Sequence, residues 1–451
     1  MAYKVGIDIG GTFTDLYAYD TQTGKSLCLS SSSTPENYAN GVLNVIEKSK
    51  IRPEDIELIV HGTTVATNAV IMKTYEKTAF VTTKGMRDLI EIGRFHRKVL
   101  YDPYQQKPEP IVSRDNRFTV EERIDKDGNV LEALNENDVR QVAAKIREKG
   151  ITSVCVGFMN SYVNGKHEKR AAEILKEELS DAYVIASSQI LPNIGALGRF
   201  TTGIINAALY HLVSNYIENL EDRLRGKGFK GKLLLVQSNG GAITAELVRT
   251  KPETLLMSGP AGGVVGALSI GKVSGQEDII TFDMGGTSTD ISIIEKSKPF
   301  MSSDFEIDWD MPVPIPLIEI ISIGAGGGSI AWVDSGGVLK VGPRSAGAYP
   351  GPVCYGAVSY THLDVYKRQD IGRFGIFFLM FGAIAFLGSF FLAWYEGDWG
   401  PAYYLDMYGS GIMSDFWQMI QIARWGGVVM LILGVSLFAA GKKWDPAHKE
   451  D

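Results

Sequence analysis

The chain has 451 residues, 45% of them apolar and 22% charged, with a formal net charge of −7. That length accommodates two or three domains of ordinary size, and the mildly acidic balance excludes a nucleic-acid footprint. Cys28, Cys155 and Cys354 lie far apart and form no C-x-x-C, which excludes a zinc or disulfide framework and suits a reducing, cytoplasmic compartment.

The first strand begins almost at once, so no signal peptide is expected before Tyr3. Apolar runs at Val5, Ile7 and at Leu16–Tyr19 flank the segment Asp8-Ile-Gly10-Gly11-Thr12-Phe-Thr14-Asp15, the pattern of a β-hairpin with a tight turn. Tyr38–Ser49 has helical spacing. Ile56–Val60 is a strand running into His61-Gly-Thr-Thr-Val-Ala-Thr-Asn68, an anion-friendly helix start with Thr63 or Thr64 as its cap. His61, at the strand end, reads as structural before catalytic. Ala79–Thr82 is a further strand, and Lys84, Arg87 and Arg94 after it read as a solvated basic face rather than a steering patch for an anion.

Asp138–Lys149 and Glu168–Glu178 are predicted helices on either side of a strand at Ser153–Phe158. Another strand is expected around Ala182–Ile190, and Arg199–Arg225 reads as one long helix. Strands alternating with helices argue for an α/β fold. Leu233–Gln237 is a buried strand ending at Ser238-Asn-Gly-Gly241, and Ser258–Ala267, small on nearly every residue, is expected to pack backbone-close between two lobes.

The first hairpin then recurs as Asp283-Met-Gly285-Gly286-Thr287-Ser-Thr289-Asp290, identical at six of the eight positions of D-x-G-G-T-x-T-D. At average residue frequencies such a match arises by chance roughly once in 10⁴ to 10⁵ chains, so this is an internal duplication. Glycines let backbone N–H groups approach a phosphate, and threonine hydroxyls add donors. An aspartate at a strand end can hold Mg²⁺, usually through water. Two such hairpins face to face would clamp the phosphates of a nucleotide. Gly10, Gly11, Thr12, Thr14, Gly285, Gly286, Thr287 and Thr289 would form the cradle. Asp8 and Asp283 would hold the metal, and one of Asp8, Asp15, Asp283 and Asp290 would orient the nucleophile. Downstream, Ile321–Ser329 gives a strand and a turn containing Gly326, Gly327 and Gly328, a candidate for the adenosine side of the site.

The composition then breaks. Five of the seven tryptophans (394, 399, 417, 425, 444) fall at the end of the chain, with an uncharged run from Phe374 to Tyr395 and a second apolar run from Trp425 to Gly441. The pair reads as a transmembrane hairpin with interfacial aromatics; Lys442 and Lys443 after the second run put both termini in the cytoplasm.

The ordered segments GIDIGGTFTD, HGTTVATNAV, TTKGMRDLIEIGR, QSNGG, SGPAGGVVGA, FDMGGTSTD and IGAGGGSIAWVD resemble the hydantoinase/oxoprolinase family, the HyuA-type subunit, over residues 1–356. The resemblance implies the actin, sugar-kinase and heat-shock-chaperone ATPase fold, here with an incomplete second lobe. It divides the chain into an N-terminal lobe at 1–185 and an ATPase domain at 186–356. It further implies ATP and Mg²⁺ as cofactors and phosphoryl activation of the carbonyl oxygen of a cyclic amide. Alternatives are an ATP-dependent ketone carboxylase subunit and an actin-like ATPase switch without small-molecule chemistry. Many relatives work with a separate B-type (HyuB-type) subunit.

The resemblance stops at Gly356. Residues 357–369 end in VSYTHLDVYKRQ, which back-translates with allowed codons into an inverted repeat. It reads as two transposase mosaic-end adapters joined back to back, with 370–451 as an unrelated membrane-protein frame. The expectation is a truncated, inactive chimera, with a natural membrane-anchored protein as the alternative.

Overall fold

Alternating side chains start the fold. In β1 (Tyr3–Ile9), Val5, Ile7 and Ile9 are buried while Lys4 and Asp8 are exposed, and in β2 (Phe13–Asp20) Leu16 and Ala18 are buried between exposed Asp15, Tyr17 and Tyr19. The structure, a computed structural model, describes residues 2–10, 13–34, 38–97, 99–286, 288–334, 336–346 and 351–352. Met1–Ala348 forms one compact unit and Tyr349–Asp451 a second.

The chain continues through β3 (Ser26–Ser32), α1 (Tyr38–Ser49), β4 (Ile56–Thr63) and the short α2 (Val65–Ile71). After a long excursion it returns through α3 (Ala196–Gly226), β5 (Lys232–Val236) and β6 (Ala242–Thr244). These strands make a six-stranded sheet in the order β6-β5-β4-β1-β2-β3. The β1-β2-β3 meander is antiparallel, whereas β1-β4 and β4-β5 run parallel. The apolar stripe of α1 (Val42, Leu43, Val45, Ile46) and that of α3 (Ile205, Leu209, Val213, Ile217, Leu220, Leu224) share one core with the sheet. The expected boundary at 185/186 therefore runs through this sheet, which takes strands from both sides of it.

The excursion builds a second, fully parallel sheet in the order Tyr183–Ala186, Ser153–Gly157, Thr78–Thr83, Arg117–Val120. Helices Glu136–Glu148 and Lys166–Glu178 cover one face, and the start of α3 covers the other through Phe200, Ile204 and Ala207. The strand expected to end around Ala182–Ile190 ends at Ala186, and Ser187–Ile190 is a helical turn. The cause is Glu168, whose buried carboxylate accepts from Ser187 Oγ at 2.7 Å and from the Ser188 N–H at 3.0 Å, turning the chain.

The small-residue segment is α4 (Ser258–Ser274), longer than its sequence expectation, and it packs against both β1/β4/β5 and the next sheet. That sheet holds β7 (Ile279–Met284), β8 (Thr289–Glu295), Lys298–Pro299 and β9 (Ile321–Ile323). Among the described residues no helix is long and apolar enough to cross a membrane. The two expected spans and the 357–369 junction lie outside the described residues.

Candidate functional site

The two copies of the motif fold alike. Asp8 pairs with Asp15 and Ile9 with Thr14 across the first hairpin, and the Gly10 N–H donates to Phe13 O at 2.9 Å. In the second, Asp283 pairs with Asp290 and Met284 with Thr289, and the Gly285 N–H donates to Ser288 O at 2.9 Å. The duplication in sequence is thus a duplication of register.

The parallel pairing of β1 with β4 sets Gly62 directly beside Asp8. A cavity of about 630 Å³ opens here, lined by Asp8 and Asp15 from the first hairpin, Gly62 from β4, Gly259 and Gly263 from α4, and Asp283 from the second hairpin. A second cavity of about 320 Å³ shares Gly263 and Asp283 and adds Asp290. The structure therefore brings all four predicted aspartates to one pair of adjoining cavities.

Solvent reaches Asp8, yet its carboxylate lies on the cavity floor. Loss of bulk water there, reinforced by Asp15, Asp283 and Asp290, pushes its pKa up to about 6. Burial, then Asp283, also raises Asp290, against a lowering hydrogen bond from Ser322. Asp290 Oδ1 is buried with no hydrogen-bond partner, a donor atom for which the fold supplies nothing. Among the described residues no group of three or more His, Cys, Asp or Glu is placed to hold a metal.

Other predicted residues do different work. Gly11, Thr12 and Thr287 lie outside the described residues. Thr14 and Thr289, expected among the phosphate donors, are buried with their hydroxyls engaged internally. Thr14 Oγ1 is 3.1 Å from Ser33 Oγ, which donates to Gly10 O at 2.8 Å; Thr289 Oγ1 donates to Ala325 O at 2.5 Å. Both threonines fasten their turns from behind. The N–H groups of Gly326, Gly327 and Gly328 donate to Ser329 Oγ, Gly285 O and Gly286 O respectively. This glycine turn braces the second hairpin with all three of its backbone donors.

His61 is fully buried. Its Nδ1 is 3.2 Å from Ile7 O, which forces Nδ1 to carry the proton, so Nε2 accepts from Tyr216 OH at 2.6 Å. Burial lowers its pKa to about 4, and it stays neutral as a brace between sheet and α3. Lys84 pairs with Glu121, Arg87 with Asp88 and Arg94 with Glu306.

Sequence reasoning missed Gly62, Gly259 and Gly263 as residues of the site. The signals available were the anion-friendly His61-Gly-Thr-Thr stretch, which contains Gly62, and the small-residue run of α4, which contains Gly259 and Gly263.

Residues 4–179 match the family model described as hydantoinase/oxoprolinase N-terminal region, and residues 199–361 that described as hydantoinase/oxoprolinase. A protein of Methanocaldococcus jannaschii without an assigned activity is 41% identical over 83% of this chain and 57% of its own. The caprolactamase subunit alpha of Pseudomonas jessenii is 34% identical over 78% of this chain and 52% of its own. A solved structure of the ATP-dependent caprolactamase from that organism superposes with a TM-score of 0.68 at 35% identity, over 79% of this chain and 52% of that one. Nucleotide-free acetone carboxylase, solved to explain ATP-dependent acetone carboxylation, gives 0.68 at 26% identity, over 77% and 51%. The chain thus spans about half the length of the curated relatives it matches.

Proposed function

The chain belongs to the hydantoinase/oxoprolinase family, and from that premise we propose that residues 1–356 are the ATP-handling part of a carbonyl-activating enzyme. The observation that carries this reading is the convergence of Asp8 and Asp283, from two hairpins of one motif, on a single cavity. The sheet order β3-β2-β1-β4-β5, antiparallel and then parallel, supports the actin, sugar-kinase and chaperone ATPase fold.

Mg²⁺·ATP, when bound, supplies a transferable phosphoryl group whose charge the cation offsets. Asp8 and Asp283 would hold the hydrated cation. The tight turns at Gly10 and Gly285 would leave backbone-close room for phosphates, and Asp15 and Asp290 would sit one strand further back. The substrate is a cyclic amide of the hydantoin or 5-oxoproline type, activated at its carbonyl oxygen before ring opening. The likeness to acetone carboxylase favours a second reading, activation of a ketone for carboxylation. A relative named as subunit alpha supports a separate B-type partner subunit. The setting proposed is the cytoplasm.

Phosphate release from the natural-length protein with Mg²⁺·ATP and a panel of cyclic amides and ketones tests the reading. Stimulation by a cyclic amide supports it, stimulation by ketones alone supports the second reading, and nucleotide binding without any substrate stimulation points to an ATPase switch.

A further inference from the structure

The glycines of α4 are not equivalent. A Cβ placed on Gly263 would stand 3.0 Å from Asp283 Oδ2, and one on Gly259 3.4 Å from Asp8 Oδ1. On Gly62 of β4 it would stand 2.5 Å from that same Asp8 oxygen. On Gly266 of the same helix it would meet nothing within 4 Å, and on Gly262 only Val236 Cγ1 at 3.9 Å. Gly271, near the end of the helix, is closed off by packing instead, since a Cβ there would meet Ile279 Cδ1. At Gly259 the contact is at the edge of ordinary packing; the tight approaches to the two carboxylates are those of Gly62 and Gly263.

Gly259 and Gly263 are four residues apart, so they lie on one face of the helix separated by about 6 Å along its axis. The helix is pinned at both sides. Met257, in a left-handed conformation (φ 59°), donates its N–H to Thr67 Oγ1 at 2.9 Å, and Ser258 Oγ donates to Thr63 O at 2.8 Å, fixing its start to the first sheet. Ala261 and Val264 pack with Ile294 of β8 and with Ile318, fixing it to the third sheet.

We propose that Gly62, Gly259 and Gly263 are positioning residues, and that α4 is a ruler setting the Asp8 and Asp283 carboxylates about one helical turn apart to share one cation–phosphate ligand. The proposal rests on the functional reading above. Each atom that an added methyl would strike is the free end of an aspartate side chain, which rotates to another χ1 well without disturbing the backbone. An alanine at these sites leaves the fold standing and moves the carboxylate.

The test uses the full chain with Gly62→Ala, Gly263→Ala and, as control, Gly266→Ala. Crystal structures without nucleotide read the positions of the Asp8 and Asp283 carboxylates, and calorimetry reads ADP affinity with Mg²⁺ and with chelator. We expect Gly266→Ala to match the parent in every readout and to melt at or above the parent temperature. Gly62→Ala should turn the Asp8 side chain to another χ1 well, and Gly263→Ala should do the same to Asp283, with the backbone in place. Both should weaken Mg²⁺-dependent ADP binding tenfold or more, with a smaller loss in chelator. Carboxylates unmoved in both variants, or equal losses with and without Mg²⁺, would overturn the proposal. Moved carboxylates in a chain whose parent binds no Mg²⁺·ADP would sustain the positioning role and defeat the functional reading instead.

Discussion

Asp8 carries the sharpest trade-off between stability and function. Its pKa is raised in the folded chain to about 6 from an ordinary 3.8. Folding therefore favours the protonated form, and stability falls as pH rises between those values. Because the group is solvent-reached, the effect at neutral pH is discounted to below about 1 kcal/mol. Asp8→Asn should raise the melting temperature at pH 7.5 by roughly 1–3 °C while lowering ATP turnover of the natural-length protein at least about 10²-fold. Asp8→Asn that raises the melting temperature as much at pH 4.5 as at pH 7.5 would contradict this account of Asp8.

His61 has the opposite sign. Its folded pKa of about 4 lies below the ordinary 6.5, so its contribution is complete above pH 6.5 and is lost as pH falls toward 4, a swing on the order of 3 kcal/mol. Urea unfolding at pH 7 and pH 4.5 should show a steep acid loss in the parent that His61→Gln flattens. The residue scale also shows where sequence stops being informative. The aspartates were legible because the motif repeats. The direction of a threonine hydroxyl was not, because Thr14 and Thr289 are turned by partners, Ser33 and Ala325, that no motif names.

At the scale of elements, most strands and helices followed from apolar spacing, since Val5/Ile7/Ile9 and Val139/Val142/Ala143/Ile146 bury the faces that their periodicity predicts. Two features escaped. Glu168 bends the chain after Ala186 by a contact twenty residues distant, and α4 owes Gly263 to a carboxylate on another element. The third sheet also leaves a face uncovered. Ile280, Phe282 and Met284 alternate along β7 and line up with Ile293 of β8 and Ile321 and Ile323 of β9, all exposed. A contiguous apolar face of this kind drives self-association. Phe282→Ser with Ile321→Thr should at least double the soluble fraction and reduce aggregation in sedimentation. A parent chain truncated at 356 that is already monodisperse and hydrolyses Mg²⁺·ATP would contradict this.

At the scale of the molecule, the family match ends at residue 361, within the 357–369 segment whose codons can spell two adapter ends, while the relatives run to about twice the matched length. The central claim, that two copies of one hairpin form a nucleotide-dependent carbonyl-activating site, is tested most directly by steady-state phosphate release from the natural-length protein with the proposed partner subunit. The account predicts Mg²⁺-dependent release stimulated by a cyclic amide and abolished alike by Asp8→Asn and Asp283→Asn. Release that persists in both variants would contradict it.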